Sequence, residues 1–515
     1  MEFDLLYLED SSGKQPVCAQ DLFRDLKLEL LLDAMSNGEK AVYDACAFVL
    51  ARPLVQAGSI RLRNQVVRDA VKHGDVFEAV LKTALEALGH AKRFAEFVKP
   101  RYDRMVSNAN KTVFETEMAA VLLECLKRLK GILASNGGGC QSESMLRLCS
   151  AAQDTLDDVY LSRIQARLNE LSALKQGVYV HLSCRLGEGL KQADATLNRI
   201  PASGKKGRVP LPGGGAVIPL SSVTLIQNAQ EITEKALAPV HKIISGFNRS
   251  VTCFFERLAS QTGFYAGCAR LYRKLSMLGV PVCFPEFAQG IHRHEALCLT
   301  DAGLALKEGS VPVGSDVCLS HKRLVLITGP NQGGKTTFLR GVGLSQVMAQ
   351  CGMFVAAKKY VCPVYTGIFT HFPNGEDARM RMGLLEVELS KMNILVDALK
   401  PGSLLLMNES FQTTTPGDSL LLAQEIIPAL MDAGVKVLFV THLYGYAADV
   451  HEHRAEDTLF LLAKRSGEGN NTYRIEKGLP FRSAYGLHLF QKVMGKADVN
   501  PGCRAAEKFE RQTVC

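Results

Sequence analysis

The sequence predicts a multidomain α and α/β protein, in which helical regions precede a domain built on a parallel sheet. The chain has 515 residues, 47% of them hydrophobic, which suffices for roughly two to four domains with cores of their own. Apolar residues recur at helical spacing in the first half, and after about residue 281 short apolar runs alternate with helical segments. The first pattern indicates packed helices, and the second indicates an α/β sheet.

Composition excludes several classes of protein. The hydrophobic content excludes a disordered or collagen-like chain, and no stretch approaches about 18 uninterrupted apolar residues. Residues 1–4 lack the basic start of a signal peptide, so we expect an intracellular protein of the cytoplasm, nucleoid or nucleus, without a membrane partner. The net charge of +8 permits a polyanionic partner without requiring one. The 15 cysteines include no C-x-x-C pair and are expected to be reduced thiols.

A helical bundle is predicted between about residues 21 and 134. Its clearest periodicity follows helical spacing along one face, in Val76, Val80, Leu81, Ala84, Leu85 and Leu88. The three consecutive glycines at 137–139 oppose both helix and strand, because glycine loses more backbone entropy on ordering than any other residue. We therefore predict a first domain over residues 1–140.

Two long helical stretches are predicted next, at about 143–199 and 221–261, with an interruption allowed at 177–180. A helix of about 40 residues reaches roughly 60 Å, so residues 141–262 are predicted to form a projecting arm. Its tip is a loop rich in Gly and Pro that contains Lys205, Lys206 and Arg208. From composition alone, an ordinary surface loop with solvated charges explains this tip as well as a binding site does.

The third predicted domain, residues 263–515, contains three apolar runs typical of buried parallel strands, at 324–328, 403–407 and 436–440. The first run leads into G-x-x-x-x-G-K-T and then a helical segment, which is the order that a phosphate-binding P-loop requires. In such a loop Lys335 neutralises the β- and γ-phosphates, and the Thr336 hydroxyl ligates Mg²⁺. The predicted nucleotide contacts are Gly329, Pro330, Asn331, Gln332, Gly333, Gly334, Lys335, Thr336 and Thr337.

The other two runs end in residues suited to nucleotide hydrolysis. The second is followed by Asn408 and Glu409, where a P-loop ATPase often carries Asp-Glu. The amide of Asn408 can bind near the metal but carries no charge, so we predict weakened Mg²⁺ binding. Glu409 is the candidate to orient or deprotonate the attacking water, and His442 to contact the γ-phosphate or that water. The alternatives are a surface carboxylate and a structural histidine.

With these motifs, the chain resembles the MutS family of DNA mismatch-repair ATPases. Residues 328–337, TGPNQGGKTT, resemble the family's TGPNMGGKST, which is more specific than a generic P-loop. Residues 349–355 are similar to its A-Q-x-G-x-x-V run, 441–442 to its TH motif and 485–486 to the end of its SYG motif. Residues 38–67 are similar to the opening of the family's helical core.

The resemblance implies a helical core, a lever and clamp arm that closes on DNA, and a dimerising, ABC-like ATPase domain at the C-terminal end. It implies ATP and Mg²⁺ as ligands, duplex or branched DNA as a partner, and a homodimer whose ATP sites form between subunits. In this setting Lys205, Lys206 and Arg208 become candidate contacts to DNA phosphates.

Three departures from the family pattern affect these expectations. The core-like sequence begins near residue 20, so we expect a short member without the N-terminal mismatch-recognition and connector domains. Asn408 replaces the family's metal-binding Asp. Residues 379–384 occupy the place of a signature loop with a serine that senses the partner's γ-phosphate, and no such serine is evident there.

Three functional hypotheses follow. The first is a homodimeric ATPase that couples nucleotide binding and hydrolysis to a DNA clamp, in DNA repair or recombination. The second, favoured by Asn408 and the altered signature loop, is a DNA-binding scaffold that nucleotide switches with little or no hydrolysis. The third, a small-molecule P-loop kinase, is disfavoured because roughly 300 mostly helical residues precede the site and offer no evident acceptor pocket.

Overall fold

The structure is a computed structural model that describes residues 3–7, 17–98, 107–136, 139–176, 181–186, 192–199, 223–288, 293–373, 383–465 and 471–479. Everything said below about the fold concerns these residues. The predicted basic tip, with Lys205, Lys206 and Arg208, lies outside them, as do residues 379–382 of the predicted signature loop and residues 485–486.

The first part of the chain is helical, which confirms the bundle predicted from periodicity. Its helices are α1 (Ala19–Leu26), α2 (Glu29–Ser36), α3 (Lys40–Leu50), α4 (Ala57–Lys72), α5 (Gly74–Arg93) and α6 (Asn108–Asn136), and α5 continues into a π-helical turn at Phe94–Val98. Most of the apolar face predicted in α5 is buried, with Val76, Val80, Leu81 and Ala84 each at most 4% exposed, and its last leucines, Leu85 and Leu88, are partly buried against the core. Burial of one apolar stripe per helix stabilises these helices.

The next segment differs from the prediction of a helix over 143–199. The segment contains two helices, α7 (Glu143–Thr155) and α8 (Asp158–Ser172), and α8 is followed directly by a 3₁₀ turn at Ala173–Gln176. An antiparallel hairpin of β1 (His181–Leu186) and β2 (Gln192–Arg199) comes next. The sequence of β1 does contain the pattern of a β-strand, since Leu182, Cys184 and Leu186 alternate with polar residues. The break before α8 is fixed by Asp157, whose carboxylate accepts the Tyr160 N–H at 2.7 Å.

The second predicted long helix is present and is longer than expected. Helix α9 spans Val223–Met277, 55 residues, which corresponds to about 80 Å at 1.5 Å per residue. Its C-terminal half packs against α2, α3, α4 and α5 through buried residues that include Phe255, Phe264 and Tyr265. The domain boundary predicted at 262–263 falls inside this continuous helix. The three-part domain division stays a prediction.

The C-terminal part contains the predicted sheet. Six strands lie in the order β12-β11-β6-β10-β9-β8, and all neighbours are parallel except β11 and β12. The strands are β6 (Leu324–Thr328), β8 (Ile368–His371), β9 (Leu404–Asn408), β10 (Lys436–Val440), β11 (Thr458–Arg465) and β12 (Asn471–Lys477). The three strands predicted from apolar runs are therefore confirmed as neighbours in a buried parallel sheet, with β10 between β6 and β9.

Helices cover both faces of this sheet. They are α11 (Lys335–Gln350), α12 (Leu384–Ala398), α13 (Pro416–Asp432) and α14 (Tyr444–His453). Alternate residues of β6 point to opposite faces, because side chains alternate along a strand. Val325 and Ile327 join a cluster with α11 and the helical region, whereas Leu324 and Leu326 join a second cluster with α12, α13 and α14.

A smaller sheet lies beside the main one, with strand order β3-β7-β4-β5. Its strands are β3 (Glu286–Phe287), β4 (Glu295–Leu299), β5 (Ser315–Cys318) and β7 (Lys359–Cys362). Helix α10 (Ala302–Glu308) connects β4 to β5 and begins at Asp301, whose carboxylate accepts the Leu304 N–H at 3.0 Å. This connection forms one wall of the site described next.

Two expectations from composition can be compared with the described residues. All twelve cysteines whose side chains are described are free thiols, and most of them are buried. Within the described ranges, no helix has both the length and the apolar character needed to cross a membrane.

Candidate functional site

The connection between β6 and α11 is a tight glycine-rich loop. A Cβ atom on Gly333 would lie 2.9 Å from the Cβ of Ala463 and 3.0 Å from the Pro330 carbonyl, so no larger residue fits there. Gly334, with φ of 91°, immediately precedes α11 and adopts a left-handed conformation that suits glycine. The loop therefore closes tightly and leaves the N-terminal end of α11, with its unpaired N–H groups, facing a cavity.

Lys335 is folded back onto this loop. Its Nζ donates to the carbonyl oxygens of Gly329, at 3.0 Å, and Pro330, at 2.8 Å. The residue is only 4% exposed, and burial lowers the pKa of Lys335 to about 8, with the nearby negative charge of Glu409 acting in the opposite direction. Two neutral carbonyls do not balance the charge of a buried ammonium. An anionic ligand bound in the cavity would supply the missing negative charge.

Thr336 and Asn408 contact each other across the sheet edge. The Thr336 hydroxyl donates to Asn408 Oδ1 at 2.8 Å, and Asn408 is 7% exposed at the C-terminal end of β9. The pair offers a hydroxyl and an amide oxygen, which are hard donors of the kind that Mg²⁺ accepts. Neither group carries a negative charge, so the donor set fits Mg²⁺ chemically but attracts it less than a carboxylate would.

Glu409 and His442 form a hydrogen-bonded pair at the ends of β9 and β10. His442 Nε2 lies 3.1 Å from Glu409 Oε1, and the Glu409 N–H donates to the Val440 carbonyl at 2.8 Å. The hydrogen bond from His442 is the main cause that lowers the pKa of Glu409, partly opposed by burial. The Glu409 carboxylate is thus ionised at neutral pH, and it lines the same cavity as Lys335.

These groups border a cavity of about 750 Å³, a size typical of small-molecule sites. Seven of the nine predicted nucleotide contacts line it, as does Glu409, whereas Gly329 and Pro330 contact Lys335 instead. Asn408 and His442 are not among the lining residues, but each is hydrogen-bonded to one of them, Asn408 to Thr336 and His442 to Glu409. The far wall was not predicted and consists mainly of Leu299, Thr300, Asp301, Leu304, Glu308, Ser310, Val311, Pro312, Val313, Ser315 and Tyr473.

The far wall carried weak sequence signals. Asp301 directly before Ala-Gly-Leu-Ala-Leu is a helix N-cap pattern, which predicts α10 but not its proximity to the loop. Tyr473 lies on β12, in a left-handed backbone conformation with φ of 58°, and 53% of it is exposed at the cavity. The pairing of β12 through β11 to β6 brings this ring beside the loop. No local sequence pattern indicates that placement.

Comparison with known protein families gives two matches. Residues 55–278 match the MutS2 N-terminal domain, and residues 325–504, which contain the loop, Asn408, Glu409 and His442, match MutS domain V.

Individual relatives are similar over shorter stretches. The DNA mismatch repair protein MutS of Thermotoga maritima is 35% identical over 206 residues, covering 39% of this chain and 25% of the relative. The DNA mismatch repair protein MutS of Bacillus subtilis (strain 168) is 32% identical over 243 residues, covering 43% and 27%. The chain thus spans about a quarter of the length of these curated relatives. The two domain matches and the relatives together show that much of the chain is similar to proteins of the MutS family.

Proposed function

We propose that this chain is a DNA-binding protein of the MutS type in which ATP binding and hydrolysis act on a DNA clamp, in DNA repair or recombination. The observation that carries the proposal is the loop between β6 and α11, with the buried Lys335 and the opposing Glu409 and His442, inside the region that matches MutS domain V. The relatives named as DNA mismatch repair proteins support DNA as the partner.

In the proposed complex, the triphosphate of ATP lies over the glycine-rich loop at the N-terminal end of α11. Lys335 then exchanges its two carbonyl contacts for phosphate oxygens, and the loop N–H groups donate to the same phosphates. The adenine base of ATP lies in the half of the cavity bordered by Val311, Val313 and the exposed ring of Tyr473. This orientation places apolar surface against the base and positive charge against the phosphates.

For hydrolysis, we propose that Glu409 orients the attacking water and accepts its proton. His442 donates to one oxygen of the Glu409 carboxylate and fixes its direction, which leaves the other oxygen available to the water. Thr336 and Asn408 would hold Mg²⁺, which when bound neutralises charge on the β- and γ-phosphates. Because Asn408 is neutral, the chain depends more on Lys335 for charge neutralisation than an ATPase with an aspartate there.

The remaining parts of the proposal rest on the family and on the sequence. They are a homodimer with ATP sites between subunits, and phosphate contacts from Lys205, Lys206 and Arg208 of the arm predicted from the sequence at residues 141–262.

The experiment that tests the nucleotide site compares Lys335→Ala with Lys358→Ala, an exposed lysine of the same domain that does not line the cavity. Equilibrium binding of ATP should be abolished by the first change and unaltered by the second. ATP hydrolysis should then be measured with homoduplex, mismatched and branched DNA at one fixed salt concentration. DNA-stimulated turnover supports the clamp ATPase, and full ATP affinity in Lys335→Ala would refute the site.

A second function is favoured by one observation. Asn408 occupies the position where a carboxylate would bind the metal, and its amide oxygen is engaged by the Thr336 hydroxyl. This favours a DNA-binding scaffold in which bound ATP acts as a structural switch with little hydrolysis. Tight ATP binding without turnover on any of the three DNAs would select this function over the first.

A further inference from the structure

The loop that follows β9 has an unusual backbone. Glu409 and Phe411 have φ angles of 50° and 68°, in the left-handed region that residues other than glycine rarely adopt. The Phe411 side chain is fully buried, whereas Glu409 faces the cavity. Contacts outside the loop must therefore impose this conformation, because the local sequence does not favour it.

The strongest of these contacts come from Glu388, in the second turn of α12. Glu388 Oε1 accepts the Phe411 N–H at 2.6 Å, and Glu388 Oε2 accepts the Thr413 hydroxyl at 2.6 Å. Glu388 is 5% exposed and does not line the cavity. Both oxygens of a buried carboxylate are thus used to hold two points of the loop, and hydrogen bonds to a charged acceptor are stronger than neutral ones.

Two serines fix the same loop from other directions. Ser410 Oγ donates to the His371 carbonyl of β8 at 3.0 Å and lies 2.7 Å from His371 Nδ1. Ser419 Oγ, on α13, donates to the Phe411 carbonyl at 2.5 Å. The loop is therefore held by α12, β8 and α13. Asp418 of α13 accepts from the Thr414 and Thr415 hydroxyls at the far end of the loop, whereas Glu388 is the carboxylate that holds the Phe411 N–H, nearest to Glu409.

We infer that Glu388 is a positioning residue for Glu409. By holding the Phe411 N–H, two residues beyond Glu409, it fixes the left-handed turn that directs the Glu409 carboxylate to His442 and the cavity. This inference rests on the proposed role of Glu409 in hydrolysis. According to this inference, α12 contributes a residue outside the cavity that sets the position of the proposed general base, Glu409.

Two substitutions of Glu388 are expected to differ in effect, because one keeps hydrogen-bonding groups at this position and the other removes them. In Glu388→Gln, the amide oxygen can still accept the Phe411 N–H, and the amide NH₂ can donate to the Thr413 hydroxyl, so both contacts persist in weaker, neutral form. In Glu388→Met, the volume is kept and both acceptors are lost. Glu386→Met is the matched control, because Glu386 is an exposed glutamate on the same helix.

The test measures single-turnover ATP hydrolysis and ATP affinity in the full chain. We expect Glu388→Met to lower the hydrolysis rate by at least about ten-fold, within the roughly 10²- to 10⁴-fold range of general-base catalysis, with affinity unchanged within about two-fold. Glu388→Gln should stay within about three-fold of the wild-type rate, and Glu386→Met should match it. If Glu388→Met does not fold, Thr413→Val, which removes one of the two contacts, is measured in its place with a smaller expected loss.

A double-mutant cycle distinguishes positioning from general stability. In a Glu409→Gln background, Glu388→Met should cause no further loss of rate, because the group it positions is already absent. A wild-type rate in Glu388→Met, or a loss that multiplies with that of Glu409→Gln, would overturn the inference.

Hydrogen exchange of residues 409–415 provides a readout that is independent of turnover. Glu388→Met should speed exchange of this loop by about ten-fold or more, whereas Glu386→Met should leave it unchanged. If the wild-type chain proves not to hydrolyse ATP, the proposed hydrolysis fails. The Glu388 contact is then still judged by exchange, and unchanged protection in Glu388→Met would refute it separately.

Discussion

ATP binding should weaken as the pH is raised from 7 to 9, because Lys335 loses its proton in the free protein. Burial lowers the pKa of Lys335 to about 8, and in the free site its Nζ is held only by the carbonyls of Gly329 and Pro330. A bound triphosphate places negative charge beside the ammonium and raises this pKa. Binding therefore takes up a proton at high pH, and the affinity falls once the pH exceeds the pKa of the free lysine.

The expected magnitude follows from that pKa. With a value of about 8, roughly nine-tenths of Lys335 is protonated at pH 7 and about one-tenth at pH 9, so affinity should fall about ten-fold, equal to about 1.4 kcal/mol. The affinity for ATP should change little between about pH 6.5 and 7.5. Near pH 9 it should fall by almost ten-fold for each further pH unit.

The assay is equilibrium binding of ATP at fixed ionic strength and saturating Mg²⁺. Lys335→Arg keeps the positive charge throughout the range and should bind with an affinity nearly independent of pH. Lys436 is the necessary control, because burial lowers the pKa of Lys436 to about 8 as well, and it lies outside the cavity. Lys436→Gln should keep the wild-type dependence. A ten-fold loss that persists in Lys335→Arg would refute the assignment of the titration to Lys335.

Three further changes test separate parts of the proposal. Glu409→Gln should slow hydrolysis by about 10²-fold or more and leave ATP bound, as measured by nucleotide retention on a filter; unchanged turnover would assign the base elsewhere. Asn408→Asp should tighten Mg²⁺ binding, followed by titrating Mg²⁺ against bound ATP, and no effect would place Asn408 away from the metal. Replacing Lys205, Lys206 and Arg208 together should reduce the salt slope of DNA binding by up to about three, and an unchanged slope would leave them as solvated surface charges.

The sequence predicted the central sheet because the strands are buried on both faces. Residues 324–328, 403–407 and 436–440 are continuous apolar runs, and the structure places each within one residue of the predicted position. The loop was equally accessible to prediction, since its glycines and Lys335 perform backbone and charge functions that few other residues can perform. A site built from consecutive residues, such as this loop, can be recognised from a short stretch of sequence.

Features that depend on distant residues were not predictable in this way. The far wall of the cavity combines α10, before the sheet, with Tyr473 on its last strand. Glu388 contacts residues 23 and 25 positions away, and its sequence context is that of any surface glutamate on a helix. The β1–β2 hairpin was missed for a different reason, because its alternating pattern is short and follows two real helices.

Helix α11 connects the phosphate loop to the helical region at both of its ends. Near its start, Arg340 contacts the Asp301 carboxylate at 3.5 Å and the Asp25 carbonyl of α1 at 3.4 Å. At its end, the Gln350 carbonyl accepts the Leu54 N–H at 3.0 Å, and the Gln350 side chain donates to the Leu54 carbonyl at 2.8 Å. Phosphates bound at the N-terminal end of α11 therefore act on a helix that cannot shift without disturbing the helical region. Because closely packed contacts of this kind exchange between discrete arrangements and do not deform smoothly, they give the proposed ATP-coupled clamp a physical route from the phosphate loop to the helical region.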